Sequence, residues 1–356
     1  MMRKFAPQER KRKTAAVIIA FGITGGFLYP VLDKEFGDPF AFIRGITIGL
    51  LGSAFIAAFE LYFSNPLNKK IGFIKKLVFK SISYTLFFIF LIIVVFALTG
   101  SIEYDTSFLG YIQSDKFKQV LFEEDVHIII LYSLVLGSAI IFTLQLSSKM
   151  GQGVLWNFIT GKYHNPKEEE RIFMFMDLNH STAIAEKLGD VGYSNLLNDI
   201  FFDLTRSILN TYGEIYRYVG DEVVITWKMK NGLDNANCIR TFFLSKNALK
   251  RQREKYMTKY GFFPTFSAGY HCGKVIVGEI GDIKSQITFL GDVLYTTANI
   301  EKKCRVLGKD NLISEDLIKR ISLPDIYKMK PTGTLEDESS KKIDLYTVSE
   351  IEITAL

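Results

Sequence analysis

The stretch FMFMDLNHSTAIAEKLGD, Phe173–Asp190, decides the architecture of the C-terminal half of the chain. The unbroken apolar run Ile172–Met176 ends on Asp177, which is how a buried strand feeding a turn reads. Ser181 and Thr182 then bring cap chemistry to a periodic helix that continues past a break at Gly189 and Gly192 to Leu209. A carboxylate at a strand end is thus followed at once by a helix N-terminus, whose free N–H groups suit phosphate.

Downstream, Glu214–Val219 and Glu222–Trp227 read as two short strands joined tightly at Gly220-Asp221, which puts Asp221 on a hairpin tip. A second long helix is predicted from about Asn235 to Lys259. Thr265–His271 and Lys274–Ile280 read as another hairpin pair, with Gly269, Gly273, Gly278 and Gly281 at turns or close backbone approaches. A strand at Ile287–Leu290, a helix from about Asp292 to Val306, and β segments near Leu312–Ser314 and Leu345–Val348 follow. The order predicts an α+β, ferredoxin-like sandwich over residues 171–350. In such a layout Asp177 and Asp221 reach one end of the sheet, beside the helix that starts near Ser181. Paired oxygen ligands there suit one or two Mg²⁺ or Mn²⁺ ions and a nucleoside triphosphate. Taken singly, Asp177 also reads as a helix cap and Asp221 as a turn residue.

Upstream the composition changes. Of the 356 residues 48% are hydrophobic, and the excess sits in four runs long enough to cross about 30 Å of hydrocarbon: Thr14–Leu32, Phe40–Phe63, Lys80–Thr99 and Val126–Leu146. Residues 1–146 are therefore expected to form an all-α membrane anchor of four helices, joined by a coupling linker over 147–170. One such run alone also reads as a buried core helix. The first, though preceded by Arg10-Lys11-Arg12-Lys13, has no small-residue cleavage site after it and is expected to stay as an anchor. Lys and Arg mark the cytoplasmic side. They crowd the N-terminus and Lys69, Lys70, Lys75 and Lys76, whereas Asp33, Glu35, Asp38 and Glu103–Asp125 make the other connections acidic. Both termini are thus expected in the cytoplasm, at the plasma (inner) membrane. Arg44, Glu60 and His127 lie near run ends and are expected to reach the interface, so no ion pathway, and hence no transporter, is indicated.

The net charge of +5 is mild and clusters at membrane edges, which argues against a nucleic-acid groove. Three cysteines, Cys238, Cys272 and Cys304, without C-x-x-C spacing argue against a disulfide framework or a zinc site. His164, His180 and His271 show no metal-ligand spacing.

Four strings, FMFMDLNHSTAIAEKLGD, YRYVGDEVVITW (Tyr216–Trp227), FSAGYHCGKVIVGEIG (Phe266–Gly281) and ITFLGDVLYTTANIEKKC (Ile287–Cys304), occur in the order and spacing of a class III adenylyl or guanylyl cyclase. The resemblance covers roughly Glu170 to Val348. Gly220-Asp221-Glu222 alone also resembles a GGDEF diguanylate cyclase, but the glycine-spaced Ser267–Gly281 segment followed by Gly291-Asp292 resembles class III. The resemblance implies attack of the ribose 3′-hydroxyl on the α-phosphorus of a nucleoside triphosphate, at sites formed across a homodimer. It implies Asp177 and Asp221 as ligands of two metal ions and the backbone of Leu178, Asn179, Ser181 and Thr182, with Gly220, as the triphosphate cradle. Arg217 stands where the family commonly has a purine-reading lysine. Its usual aspartate partner is Thr288, as in one subclass, and ATP is the expected substrate. The pattern G-D-x-x-N-x-x-A-R is broken, with Tyr295 in place of the ribose-orienting asparagine and Asn299 in place of the arginine facing the phosphates. Lys302 and Lys303, a turn onward, are candidate substitutes, and Lys341 or Lys342 a candidate triphosphate lysine. The expectation is a membrane-bound adenylate cyclase; the alternatives are a guanylate cyclase and a degenerate nucleotide-binding or dimerisation module.

Overall fold

A computed structural model of the chain describes residues 6–32, 38–62, 72–122, 126–151, 153–336 and 342–351. It divides into two compact units, 1–149 and 150–356.

Four long helices cover the four apolar runs of the first unit: α1 (Ala6–Leu32), α2 (Pro39–Tyr62), α3 (Phe73–Glu103) and, after the short α4 (Phe108–Gln113) and α5 (Asp115–Phe122), α6 (Val126–Met150). Two segments, Pro39–Glu60 and Leu77–Glu103, are long and apolar enough to cross a membrane. The loop expected between the third and fourth runs carries α4 and α5, whose Tyr111 is buried and stacks on Tyr104. Glycine sets the α1–α2 distance. A Cβ on Gly26 would lie 2.1 Å from the Gly45 carbonyl oxygen and one on Gly49 2.2 Å from that of Gly22, so the two backbones touch.

Arg44 and Glu60 do not simply extend to an interface. Glu60 accepts two bonds from Lys80 Nζ, at 2.6 and 2.8 Å, and a third from the Tyr84 hydroxyl at 3.1 Å, with Lys80 only 3% exposed. Arg44 Nε donates to Thr99 Oγ1 at 2.9 Å, and its guanidinium also pairs with Glu103. The reason is desolvation: a charge inside an apolar bundle is cheaper to hold against a partner on the next helix than alone. Lys69, Lys70, Asp33, Glu35 and Glu123–Asp125, on which the orientation reading partly rests, lie outside the described residues, as does the His127 side chain, expected to reach the interface.

The second unit opens with α7 (Val154–Ile159) and β1 (Lys167–Leu178). There follow α8 (Ser181–Asn210), β2 (Glu214–Val219), β3 (Glu222–Lys228), the short α9 (Met229–Leu233), α10 (Asn237–Arg251) and α11 (Arg253–Tyr260). The chain continues through β4 (Phe266–Ile280), β5 (Gln286–Leu290), α12 (Asp292–Leu307), β6 (Asn311–Ser314), α13 (Glu315–Ile318), β7 (Tyr327–Glu336) and β8 (Lys342–Glu350). The sheet order is β2-β3-β1-β4-β6-β8-β7, with β5 paired to β4. Its β2-β3-β1-β4 portion, antiparallel throughout, is the ferredoxin-like arrangement.

The period of two in β1 explains why its sequence looked uniformly apolar. Ile172, Met174, Met176 and Leu178 pack under α8 and α10, while Phe173 and Phe175 face Val224, Val275, Val277 and Phe289 on the other side. A strand covered on both faces has no polar alternation to show.

Two expected elements differ. The predicted hairpin Thr265–His271/Lys274–Ile280 is the single strand β4, paired along its length with β1 from Phe266 to Val277. Its glycines serve close approach instead of turning: a Cβ on Gly269 would lie 2.3 Å from the Glu301 amide nitrogen, and one on Gly273 2.7 Å from Val293, so α12 lies directly on the strand. The true reversal is at Gly281, φ +101°, between β4 and β5. The long helix expected over Asn235–Lys259 is split at Gln252, whose φ of −102° and ψ of 14° interrupt it. β1 also begins at Lys167, inside the stretch expected as linker.

Candidate active site

β1 ends by delivering Asp177, 8% exposed, opposite Ser267 of β4. The β2–β3 turn delivers Asp221 through Gly220, whose φ of +61° is the left-handed conformation that glycine adopts without strain. The two carboxylates meet. Burial pushes the Asp177 carboxyl up to about 6, the charges of Asp221 and Glu301 push the same way, and the Arg305 guanidinium opposes them. Glu222 is pushed up to about 7, first by burial and then by Asp177 and Glu301. Arg305 donates to Asp177 Oδ2, and Glu301, 3% exposed, accepts from Ser267 Oγ at 2.7 Å. Asp221 Oδ2 is buried with no hydrogen-bond partner among the described residues.

This donor set fits a divalent cation. Burial and neighbouring carboxylates raise Asp177 and Glu222, and one buried oxygen of Asp221 has no hydrogen donor among the described residues; a dication would relieve both. Asp177 and Asp221 are the residues that would hold it.

Beside the carboxylates lies a groove of about 510 Å³, lined by Asn179, Ser181, Thr182, Ser267, Arg305 and Lys309 among others. Its floor is the N-terminus of α8, where His180 (φ +60°) turns the chain from strand to helix. The helix N-terminus with Arg305 and Lys309, against the one carboxylate of Asp310, gives the groove a character that suits a polyanion. Asn179 holds the groove's rim: its N–H donates to Thr265 O at 2.9 Å, its Nδ2 to Thr265 Oγ1 at 3.2 Å, and its Oδ1 accepts from Ser267 Oγ at 3.1 Å.

The remaining expected residues are placed as follows. The Leu178 side chain is wholly buried in the core, so only its backbone can face a ligand. Arg217 is exposed and lies over the Tyr216 ring, 5.1 Å from its centroid. Thr288 pairs with Gly278 across β4–β5 and has a buried Oγ1 without a partner among the described residues. Tyr295 is 48% exposed on the first turns of α12 and Asn299 half-buried, and no described contact brings either to Asp177. Lys302 is exposed and Lys303 half-buried on the same helix. Lys341 lies outside the described residues; Lys342, the first residue of β8, is exposed near Glu336.

Sequence reasoning missed Glu301 and Arg305, which share one face of α12 four residues apart. The available signal was the pair Gly269 and Gly273, also four apart on one face of β4, which marks where a helix must come close.

A ferredoxin-like sheet with two carboxylates at one end, beside a helix N-terminus and two cations, has the parts that a nucleotidyl cyclase domain needs. Residues 164–348 match the adenylate and guanylate cyclase catalytic domain, and the chain belongs to that family. It is 35% identical over 208 residues to adenylate cyclase 2 of Rhizobium meliloti (strain 1021), across 58% of this chain and 57% of that protein. It is 26% identical over 165 residues to an adenylate cyclase of Anabaena cylindrica, across 44% of this chain and 32% of the other. The matched part thus spans 57% and 32% of these relatives' lengths. A bacterial light-regulated adenylyl cyclase shares the fold, with a TM-score of 0.54 at 24% identity over 64% of this chain and 67% of that one.

Proposed function

We propose that the protein is a membrane-bound adenylate cyclase that converts ATP to cyclic AMP and pyrophosphate. The observation that carries this is the meeting of Asp177 and Asp221 beside the polyanion groove; the name of the Rhizobium relative supports ATP over GTP. In the reaction the 3′-oxygen bonds to the α-phosphorus, the bond to the pyrophosphate oxygen breaks, and the hydroxyl proton passes to solvent water in the open groove. Two Mg²⁺ or Mn²⁺ ions held by Asp177 and Asp221 would supply positive charge to the attacking and leaving oxygens.

The chain's own groups do the rest. The amides of Ser181 and Thr182 bind the phosphate tail, with Lys309 and Arg305 as cations. Arg217 and Thr288, whose hydroxyl is unsatisfied, take the base. Arg305 is thereby the cation nearest the lost family arginine's task, in preference to Lys302 or Lys303, since it already reaches the site. Glu301, bonded to Ser267, keeps that part of α12 in register. Tyr295 and Asn299 complete the ribose side in a homodimer, to which the exposed Ile280, Ile283 and Leu290 of the β4–β5 hairpin offer an apolar face. The four N-terminal helices anchor the chain in the bilayer with both termini cytoplasmic.

The test is cyclic nucleotide production by purified full-length protein with ATP or GTP and Mn²⁺, beside Asp177→Ala. Cyclic AMP that disappears in the variant is the expected result. Tyr295 and Asn299 favour a second reading, a degenerate module; nucleotide binding without product would establish it.

A further inference from the structure

Behind the strand end that carries Asp177 lies a cavity that the cyclase reading does not use. Its volume is about 140 Å³, and it is enclosed by α8, α10, the turn before β4 and the end of β1. The walls are apolar: Met176, Leu204, Phe242 and Leu249 are each at most 3% exposed. Of its polar lining residues, Asn179, Ser245, Lys246, Thr265 and Asp310, only Ser245 is buried. Ser245 is 1% exposed, and its Oγ has no hydrogen-bond partner among the described residues. Several helical hydroxyls in this unit return to the carbonyl one turn back, as Thr205 does to Phe201 at 2.6 Å and Thr241 to Asn237 at 2.8 Å. A buried hydroxyl that forgoes such a bond carries a desolvation cost that a bound molecule can remove. At the cavity's rim the Lys246–Asp310 pair, 2.6 Å apart and exposed on both sides, makes a closure that opens at little cost.

We propose that this cavity is a binding site for a small neutral aromatic alcohol of phenol size, whose ring packs on the apolar walls and whose hydroxyl pairs with Ser245. The size follows from the volume, since an apolar cavity of about 150 Å³ in another protein stays dry and accepts benzene. Neutrality follows from the apolar walls, which cannot solvate a charge, and from the Lys246–Asp310 pair, whose two charges are already matched and leave none for an ionic ligand. The position gives the site a consequence. Met176 precedes Asp177, and Asn179 lines both this cavity and the polyanion groove. An occupant therefore braces the bonds from Asn179 to Thr265 and Ser267 that shape the groove's rim, which makes it a regulator of phosphate binding.

The experiment is ¹⁹F NMR titration of nucleotide-free full-length protein in detergent micelles with 4-fluorophenol, fluorobenzene and 4-fluorobenzoate, each against a micelle blank. Saturable binding of the first two and none of the third is expected. Ser245→Ala weakens 4-fluorophenol about fivefold, the value of one hydrogen bond, and leaves fluorobenzene unchanged. Leu249→Trp, checked for folding by far-ultraviolet circular dichroism and thermal melting, removes both. No saturable binding, equal binding of the benzoate, or a Ser245→Ala variant that treats phenol and benzene probes alike overturns the proposal; if Leu249→Trp does not fold, the Ser245→Ala comparison decides alone. None of these readouts depends on turnover, so failure of the cyclase reading would leave them intact.

Discussion

Consider lowering the pH from about 7.5 to about 5 with all divalent metal chelated. Asp177 rises from 3.8 to about 6 and Glu222 from 4.5 to about 7 on folding, both led by burial. Because the folded values lie above the unfolded ones, the stability these groups contribute is fully present below the unfolded values and is lost as pH rises through the folded ones. The metal-free unit is therefore expected to be more stable in mild acid than at neutrality. A full proton is worth about 1.36 kcal/mol per pH unit, and the open groove screens the pair, so the gain comes to about 1–2 kcal/mol. For a unit of this size that is a rise of roughly 3–6 °C in melting temperature. Trp227, fully buried and bonded to Thr211 O at 2.9 Å, reports unfolding of this unit by its fluorescence. Saturating Mn²⁺ should reverse the slope, because the cation competes with those protons. A melting temperature in chelator that is flat or climbs toward neutral pH would refute the reasoning, as would an undiminished slope in Glu222→Gln.

Arg305→Ala removes the cation resting on Asp177 and, since Arg305 is 56% exposed, should tighten Mn²⁺ binding only about threefold while slowing turnover; electron paramagnetic resonance titration without nucleotide measures the first effect, and weaker metal binding would contradict it. Lys80→Ala strands Glu60 inside the bundle and should cost about 3 kcal/mol, with Glu60→Gln in the same chain recovering most of it, as read by thermal unfolding of the N-terminal unit. Gly26→Val cannot coexist with an α1–α2 contact in which a Cβ already meets Gly45 O at 2.1 Å, so cysteine cross-linking between the two helices should be lost. Gly269→Ala drives a methyl into the Glu301 amide and should destabilise the cyclase unit by about 1–3 kcal/mol; an unchanged melting temperature would mean that α12 sits further from β4.

What was legible in the sequence was what is local. Asp177 and Asp221 could be assigned to strand end and hairpin tip because a run of apolar residues and a Gly-Asp turn carry that information within a few positions. The split of α10 from α11 has no such marker at Gln252, since a polar residue with a break in ψ looks like any other helix surface residue. β4 was misread for a better reason. Gly269 and Gly273 do punctuate the backbone, but what they accommodate is a helix lying across it, a tertiary cause that a turn-based reading converts into a hairpin. The same error hid Glu301 and Arg305, because the face of α12 that meets the carboxylates is fixed by its contact with those glycines. In the N-terminal unit the apolar runs were plain, but the pairing of Glu60 with Lys80 was not: the two lie on different helices, twenty residues apart.

The undivided β4 also has a mechanical side. Near one end Ser267 holds Glu301; near the other the Glu279 N–H donates to Tyr163 O at 2.9 Å, in the segment that leads from the N-terminal unit into β1. These anchor points are twelve residues apart, about 40 Å of extended chain, and β1 and β5 stiffen the span by pairing along it. A strand held in this way ties the segment around Tyr163 to the Ser267–Glu301 contact through one continuous ladder, and a hinge inserted in the middle of β4 would uncouple the two ends while leaving each intact.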